Sequence, residues 1–229
     1  MRVVFVHGAC VRDGAWWWSR VAALLGERGV ASEAVALPSC GEDGRAPGTG
    51  GPGLADDVAA VRRVLAGGGP VTAVGHSYGG VVITEAAAGV PEVTGLLYIA
   101  AFLPEPGESL ATFGGGEVPP YLDPAADGTF GVRREMLQDL FLQDCDEAAV
   151  TGAEARLARQ SLHATTEPVQ AAAWRQVPAT YLVCADDRAT PPAVQRAQAA
   201  RAGRVVEVPA GHHPFLSRPE LVARELPVG

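Results

Sequence analysis

The sequence contains no lysine, so all 18 of its basic residues are arginine, and they face 26 acidic residues. Any mechanism that needs a lysine amine is therefore excluded. The formal net charge of −8 at pH 7 repels phosphate backbones and anionic membranes. We therefore expect no nucleic acid and no membrane as partner. The sequence leaves open whether two copies of the chain associate as a homodimer.

Cysteine is scarce, and its spacing excludes the usual cysteine-based sites. The four cysteines show no CxxC spacing and no neighbouring histidine in the register of a metal site; they are Cys10, Cys40, Cys145 and Cys184. We therefore expect reduced thiols and no metal. No window approaches the run of about 20 apolar residues that a membrane span needs, and we expect no signal peptide before the first strand. These absences predict a cytoplasmic protein.

Short apolar runs alternate with helical patterns along most of the chain, which is typical of βαβ units and a parallel sheet. Hydrophobic residues make up 48% of the chain, ample for one buried core. We predict an α/β fold with about six mostly parallel strands. The predicted strands are 3–6, 32–37, 71–75, 93–101, 179–185 and 204–208, and the predicted helices are 16–28, 54–65, 77–88, 192–202 and 219–226.

The alternation stops between the fourth and fifth predicted strands, from residue 103 to residue 176. This stretch opens with turn-forming residues and then shows helical periodicity around 133–143 and 147–161. An insertion at the carboxyl edge of a parallel sheet lies over the crevice where such folds bind ligands. We therefore predict one domain, residues 1–229, with a core (1–102 and 177–229) and a helical lid (103–176).

The strongest motif is Gly75-His76-Ser77-Tyr78-Gly79, which matches G-x-S-x-G between an apolar strand and a helix. The turn from strand to helix is sharp, so bulky side chains at Gly75 or Gly79 would collide across it. It presents the Ser77 hydroxyl above the sheet, next to the free amides of a helix N-terminus. We predict that Ser77 is a catalytic nucleophile.

A serine hydroxyl needs a base, and the base needs an acid that orients it. In folds with this motif the chain order is serine, acid, histidine. His212 and His213 follow the last predicted strand, where a loop reaches the carboxyl edge of the sheet. We favour His212 as the base, and His213 is the alternative. If His212 is the base, His213 is expected at the surface or behind the reacting groups.

Several landmarks resemble the methylesterase and hydroxynitrile-lyase branch of the α/β-hydrolases, and related small bacterial carboxylesterases. They span most of the chain and are His7–Cys10, Trp16, Trp18, Gly75–Gly80, Ala101–Pro104 and Val183–Asp187. The resemblance implies an α/β-hydrolase fold and a Ser–His–Asp esterase with neither a metal nor an organic cofactor. The loop Val11–Ala15 departs from the His-Gly-Gly sequence usual in that branch, which puts the pocket entrance in doubt.

The acid is one of two adjacent carboxylates after the fifth predicted strand, Asp186 and Asp187. Both cannot reach one imidazole, because successive side chains point apart. The pattern of the resembled family favours Asp187. Asp186 is then a solvated or loop-capping carboxylate.

The oxyanion hole needs two backbone amides aimed at the developing negative charge. We expect them at Tyr78, directly after the nucleophile, and at Ala9, in the loop after the first strand. His7 is expected to brace that loop rather than to react.

The substrate is expected to be a small or medium ester with an apolar body. The candidate pocket residues are Trp16, Phe102, Leu103, Phe113, Tyr121 and Phe141. For the tryptophans 16–18, packing of a helix on the lid is an equally ordinary explanation. For each of the other residues alone, core packing is the more ordinary one.

Two other functions remain open. A lyase or cyclase of secondary metabolism could use the same Ser–His pair. However, the hydroxynitrile lyases that the chain resembles carry a lysine after the catalytic histidine, where this chain has His213. A ligand-binding receptor on this scaffold would often lack part of the triad, which is complete here.

Overall fold

The computed structural model describes residues 1–114 and 118–226. Residues 115–117 of the predicted lid and 227–229 of the predicted core lie outside the described residues. The elements are β1 (Arg2–Val6), α1 (Gly14–Trp17), α2 (Ser19–Gly26), β2 (Ala31–Ala34), α3 (Leu54–Leu65), β3 (Val71–His76), α4 (Tyr78–Ala86), β4 (Val93–Ile99), β5 (Leu122–Pro124), β6 (Thr129–Val132), α5 (Arg134–Phe141), α6 (Glu147–Glu154), β7 (Gln160–Ser161), β8 (Ala179–Cys184), α7 (Pro192–Ala199), β9 (Arg204–Val208), α8 (Pro214–Ser217) and α9 (Pro219–Arg224).

The central sheet has six strands in the order β2-β1-β3-β4-β8-β9, and every neighbouring pair is parallel. Helices cover both faces, so the middle strands are apolar runs rather than alternating patterns. All six residues of β3 are buried. The predicted α/β-hydrolase fold with its parallel sheet is confirmed. Because the strands run in one direction, their carboxyl ends meet along a single edge.

The core lies in two layers because successive strand residues point to opposite faces. Val4 and Val6 of β1 pack in the layer that contains α3 and α4. Val3 and Phe5 pack in the layer that contains α2 and α9. Helix α3 contributes an apolar stripe at helical spacing, which is Leu54, Val58, Val61 and Leu65.

Two predicted elements near the N-terminus have different bounds. The predicted helix 16–28 is divided into α1 and α2 at Trp18, whose ring stacks on Phe5 with centroids 4.5 Å apart. The predicted strand 32–37 ends at Ala34. The Leu37 amide instead donates to the Glu42 carboxylate at 2.8 Å, which takes the chain out of the sheet.

The insertion between β4 and β8 is only partly helical. Helix α5 lies inside its predicted range, but the prediction of a helix over 147–161 is wrong beyond Glu154. Residues 160–161 form β7, which joins a small antiparallel sheet, β5-β6-β7. The Ala158 amide donates to the Cys10 carbonyl at 2.9 Å, and the Arg159 guanidinium binds Asp123 and Thr129. These long-range contacts override the local helical pattern.

Candidate active site

Ser77 lies in the turn between β3 and α4, with φ of 50° and ψ of −120°. A non-glycine residue keeps such a backbone only where its surroundings enforce it. Its amide donates to the Ile99 carbonyl at 3.1 Å. A Cβ added at Gly75 would lie 2.6 Å from the Gly79 carbonyl oxygen, and one at Gly79 would overlap the Val6 carbonyl oxygen. The turn therefore depends on both glycines, as the motif predicts.

His212 and Asp187 meet beyond the ends of β9 and β8. The distance between His212 Nδ1 and Asp187 Oδ2 is 2.7 Å, and both side chains are buried. Because a carboxylate only accepts, Nδ1 donates, and Nε2 of the neutral ring is left as an acceptor. His212 and Ser77 line the same cavity. Asp186 is exposed, and its amide donates to the Ala210 carbonyl at 3.0 Å, so the imidazole is held by Asp187.

The Asp187 carboxylate is held by three further donors. Oδ1 accepts from the amides of Ala189 and Thr190 at 2.8 and 2.9 Å. Oδ2 accepts from Gln195 Nε2 at 2.8 Å. Four donors, with His212, therefore fix the orientation of the carboxyl group. Sequence reasoning missed Gln195, because a glutamine in α7 gives no sign that it is buried.

His213 is buried and lines the cavity, so it does not lie at the surface. Its Nδ1 donates to the Phe141 carbonyl at 3.0 Å. Burial, followed by the nearby His212, lowers the pKa of His213 to about 3. His213 is therefore neutral at physiological pH and offers no positive charge to the cavity.

His76 packs beneath His212. Its Nε2 donates to the His212 carbonyl at 2.9 Å, and the two ring centroids are 4.6 Å apart. Burial and the neighbouring His212 and His213 hold the pKa of His76 well below its ordinary value. Within the described ranges, one ring nitrogen of each of these three histidines lies within 4.8 Å of the others. Each histidine already gives one nitrogen to a protein acceptor, so the three rings pack as a hydrogen-bonded group.

The loop after β1 is braced by an ion pair. His7 Nδ1 lies 2.8 Å from the Gly8 carbonyl oxygen, and its Nε2 lies 2.7 Å from Glu42 Oε2. Both partners accept, so both ring nitrogens donate. Burial disfavours the charged ring, but the hydrogen bond and charge of Glu42 outweigh it and raise the pKa of His7. Burial raises the pKa of Glu42, but the hydrogen bond and charge of His7, together with hydrogen bonds from the Leu37 and Asp13 amides, lower it overall.

This ion pair sets the direction of the Ala9 amide. In a trans peptide the carbonyl and the N–H point in opposite directions. Because His7 holds the Gly8 carbonyl, the Ala9 N–H points away from His7, and Ala9 lines the cavity. Tyr78 begins α4, so its amide lacks a partner in the helix. Its hydroxyl donates to Asp57 at 2.7 Å, in the core.

The cavity has a volume of about 620 Å³ and mostly apolar walls. Four of the predicted pocket residues line it, namely Phe102, Phe113, Tyr121 and Phe141. Trp17, Phe130 and Leu137, which the sequence also offered as apolar lining, lie in the wall as well, whereas sequence reasoning missed Val132, Leu157 and Val194. Their side chains come from distant parts of the chain, so no local pattern could have identified them.

Two predicted pocket residues lie elsewhere. Trp16 is absent from the cavity wall and packs under the Arg156 guanidinium, 4.4 Å from the ring centroid. The neighbouring Trp17 takes the place at the wall, because helical neighbours point in different directions. Leu103 is fully buried in the core, and its amide donates to Gln198 Oε1 at 2.9 Å.

A model of the alpha/beta hydrolase family matches residues 3–225, so the chain belongs to that family. The chain is 31% identical to the alpha/beta hydrolase nvfD of Aspergillus novofumigatus, over 76% of each protein. It is 30% identical to a pyrethroid hydrolase of Sphingobium wenxiniae, over 98% of this chain and 85% of that protein. The chain is therefore a hydrolase of the alpha/beta family.

Solved structures show the same architecture. A pyrethroid hydrolase from Sphingobium faniae superposes with a TM-score of 0.82 at 28% identity, covering 98% of this chain and 94% of that chain. Polyneuridine aldehyde esterase shares the fold, with a TM-score of 0.81 at 20% identity over 97% and 96% of the two chains. Among the described residues, no helix is long and apolar enough to cross a membrane.

Proposed function

We propose that this hydrolase is a serine carboxylesterase that acts through an acyl-enzyme. The observation that carries the proposal is the 2.7 Å hydrogen bond between His212 Nδ1 and Asp187 Oδ2. His212 lines the same cavity as Ser77. A buried histidine with Nδ1 donating to a carboxylate keeps Nε2 ready to accept a proton. The neutral His213 supports hydrolysis over cyanohydrin cleavage, because it supplies no cation for a leaving cyanide.

In the proposed reaction, Ser77 Oγ attacks the ester carbonyl carbon and its proton moves to His212 Nε2. The Ala9 and Tyr78 amides hold the resulting oxyanion. The carbon–oxygen bond to the alcohol breaks, and His212 gives its proton to the departing alkoxide. A water then attacks the acyl-enzyme and passes a proton to His212. Ser77 leaves as the acid is released and recovers that proton.

The substrate is proposed to be an ester with an apolar body. The aromatic walls and the volume of about 620 Å³ support this class, and so does the similarity to pyrethroid hydrolases. We propose that the insertion is a lid, because Phe113, Tyr121 and Phe141 belong to it and line the cavity. Four free thiols support a reducing, cytoplasmic setting.

The test compares wild type with Ser77→Ala on short- and long-chain p-nitrophenyl esters, a pyrethroid and mandelonitrile. We expect ester turnover, negligible cyanide release and a loss of about 10⁴-fold in kcat for the variant. A serine-directed phosphonate should add its mass at Ser77. The proposal is wrong if wild type cleaves the cyanohydrin and leaves every ester intact, or if Ser77→Ala keeps a large share of the activity.

A further inference from the structure

Two side chains just after α5, in the insertion, bind the loops that carry the acid and the base. Gln143 Nε2 donates to the Asp186 carbonyl at 2.8 Å, directly before Asp187. Asp144 Oδ2 accepts from the Gly211 amide at 2.7 Å, directly before His212. Adjacent residues of the insertion therefore hold both halves of the Asp187–His212 pair.

Further bonds extend this attachment along the base loop. Asp144 Oδ2 also accepts from Ser217 Oγ at 2.7 Å. The Phe141 carbonyl accepts from His213 Nδ1 at 3.0 Å. The end of α5 and the residues after it thus contact the chain on both sides of His212, at Gly211, His213 and Ser217.

Gly211 makes the close approach possible. A Cβ at Gly211 would lie 2.5 Å from Asp144 Oδ1 and 2.6 Å from Gln143 Nε2. Real Cβ atoms essentially never approach so closely, so a side chain at 211 would displace the ends of these two side chains. The glycine before the base is therefore matched to these two side chains.

We propose that Gln143 and Asp144 are positioning residues, which hold the two loops at the separation that the Asp187–His212 hydrogen bond needs. The inference rests on the proposed function and adds a task for the insertion beyond covering the cavity. Neither side chain touches the reacting atoms. A displacement of about 1 Å in a catalytic pair can cost on the order of 10²-fold in rate.

The experiment compares Asp144→Ala and Asp144→Asn with Asp139→Ala, whose side chain is exposed on the preceding helix α5. We expect Asp144→Ala to lower kcat by roughly 10- to 100-fold with KM within about twofold. Asp144→Asn keeps an acceptor and should recover part of kcat. Asp139→Ala should match wild type.

A second readout does not depend on turnover. In ¹⁵N-histidine-labelled protein, the His212 Nδ1–H held by Asp187 should give a downfield proton signal in wild type and Asp139→Ala. In Asp144→Ala this signal should be weaker or broader. The variant should still melt cooperatively, which shows that it is folded. If Asp144→Ala does not fold, Ser217→Ala and Asp144→Asn are measured instead, and both should weaken the signal.

An unchanged signal in these variants, together with unchanged kcat where esters are turned over, would overturn the positioning role. Failure of wild type to hydrolyse any ester would overturn the proposed function instead. In that case the signal still decides whether Asp144 positions the pair.

Discussion

The core and the insertion contribute to the site in different ways. Ser77, Asp187, His212 and Ala9 all lie just beyond the carboxyl ends of core strands, namely β3, β8, β9 and β1. The insertion supplies much of the cavity wall and the bonds from Gln143 and Asp144. The proposed reactive groups therefore come from strand ends that the sheet fixes, while the insertion shapes the space around them. Substitutions of the core residues at the site should lower kcat. Substitutions in the insertion should raise KM or disturb the geometry of the Asp187–His212 hydrogen bond.

The largest expected effect belongs to the core acid. Asp187→Asn should lower kcat by about 10⁴-fold, because an amide no longer holds the imidazole in the productive tautomer. Asp186→Asn is the matched control at the neighbouring, exposed position and should keep kcat within about twofold. Steady-state kinetics on one p-nitrophenyl ester decide the point. A large loss in Asp186→Asn with a mild effect of Asp187→Asn would reverse the assignment.

The next effect tests the ion pair that braces the loop after β1. Glu42→Gln should lower kcat by roughly 10- to 100-fold. An uncharged partner no longer keeps both ring nitrogens of His7 protonated, so the hydrogen bond that holds the Gly8 carbonyl, and with it the direction of the Ala9 amide, is weakened. Glu33→Gln, which breaks an exposed pair with Arg2, is the control. Full activity of Glu42→Gln at pH 7 would contradict the assignment.

The same pair has a pH signature. The pKa of His7 is raised in the folded protein, so its contribution to stability is complete below the unfolded value of 6.5. The contribution is lost as pH rises through the folded pKa. Thermal melts should show this loss in wild type at a higher pH than in Glu42→Gln.

A smaller effect is expected in the insertion. Phe113 lines the cavity and stacks on Phe102 with centroids 5.6 Å apart. Phe113→Ala should raise KM for bulky apolar esters by roughly 10-fold and leave kcat for a short ester nearly unchanged. Leu140→Ala, also in the insertion but absent from the cavity wall, is the control. Equal KM values for the two variants would show that this wall does not bind substrate.

The smallest effect appears only in acid, at the contact between His213 and the insertion. The pKa of His213 is lowered to about 3 in the folded protein, against 6.5 for an ordinary imidazole. Between these values the unfolded chain binds more protons, so stability falls as pH drops. Circular dichroism melts from pH 6.5 to pH 3.5 should show a shallower fall of Tm in His213→Gln than in wild type. His163→Gln, half-exposed in the insertion, should follow wild type.

The strand-borne part of the molecule could be predicted well because its signals are local. The apolar runs identified all six strands of the main sheet, and G-x-S-x-G identified the turn at Ser77. The order of motifs along the chain placed Asp187 and His212 at the correct edge, and the structure brings these two side chains to 2.7 Å. Their catalytic roles remain predictions, which the kinetics above test.

The insertion was predicted poorly because its structure depends on contacts between distant residues. The pattern over 147–161 is helical, yet residues 160–161 pair with β6. The same reason applies to one position of the core, because the packing of α1 decides whether Trp16 or Trp17 reaches the cavity wall, and no sequence periodicity predicts that packing.

The sequence by itself determined the parallel sheet, the turn at Ser77 and the loops on which Asp187 and His212 lie, because strand ends and glycine turns are encoded over a few residues. Only the tertiary structure decided that Asp186 faces solvent, that His213 is buried and neutral, and that Gln195, Glu42, Gln143 and Asp144 support the site. Each of these outcomes depends on which groups meet across the fold. Burial and hydrogen-bond partners are properties of that arrangement, not of any short stretch of chain.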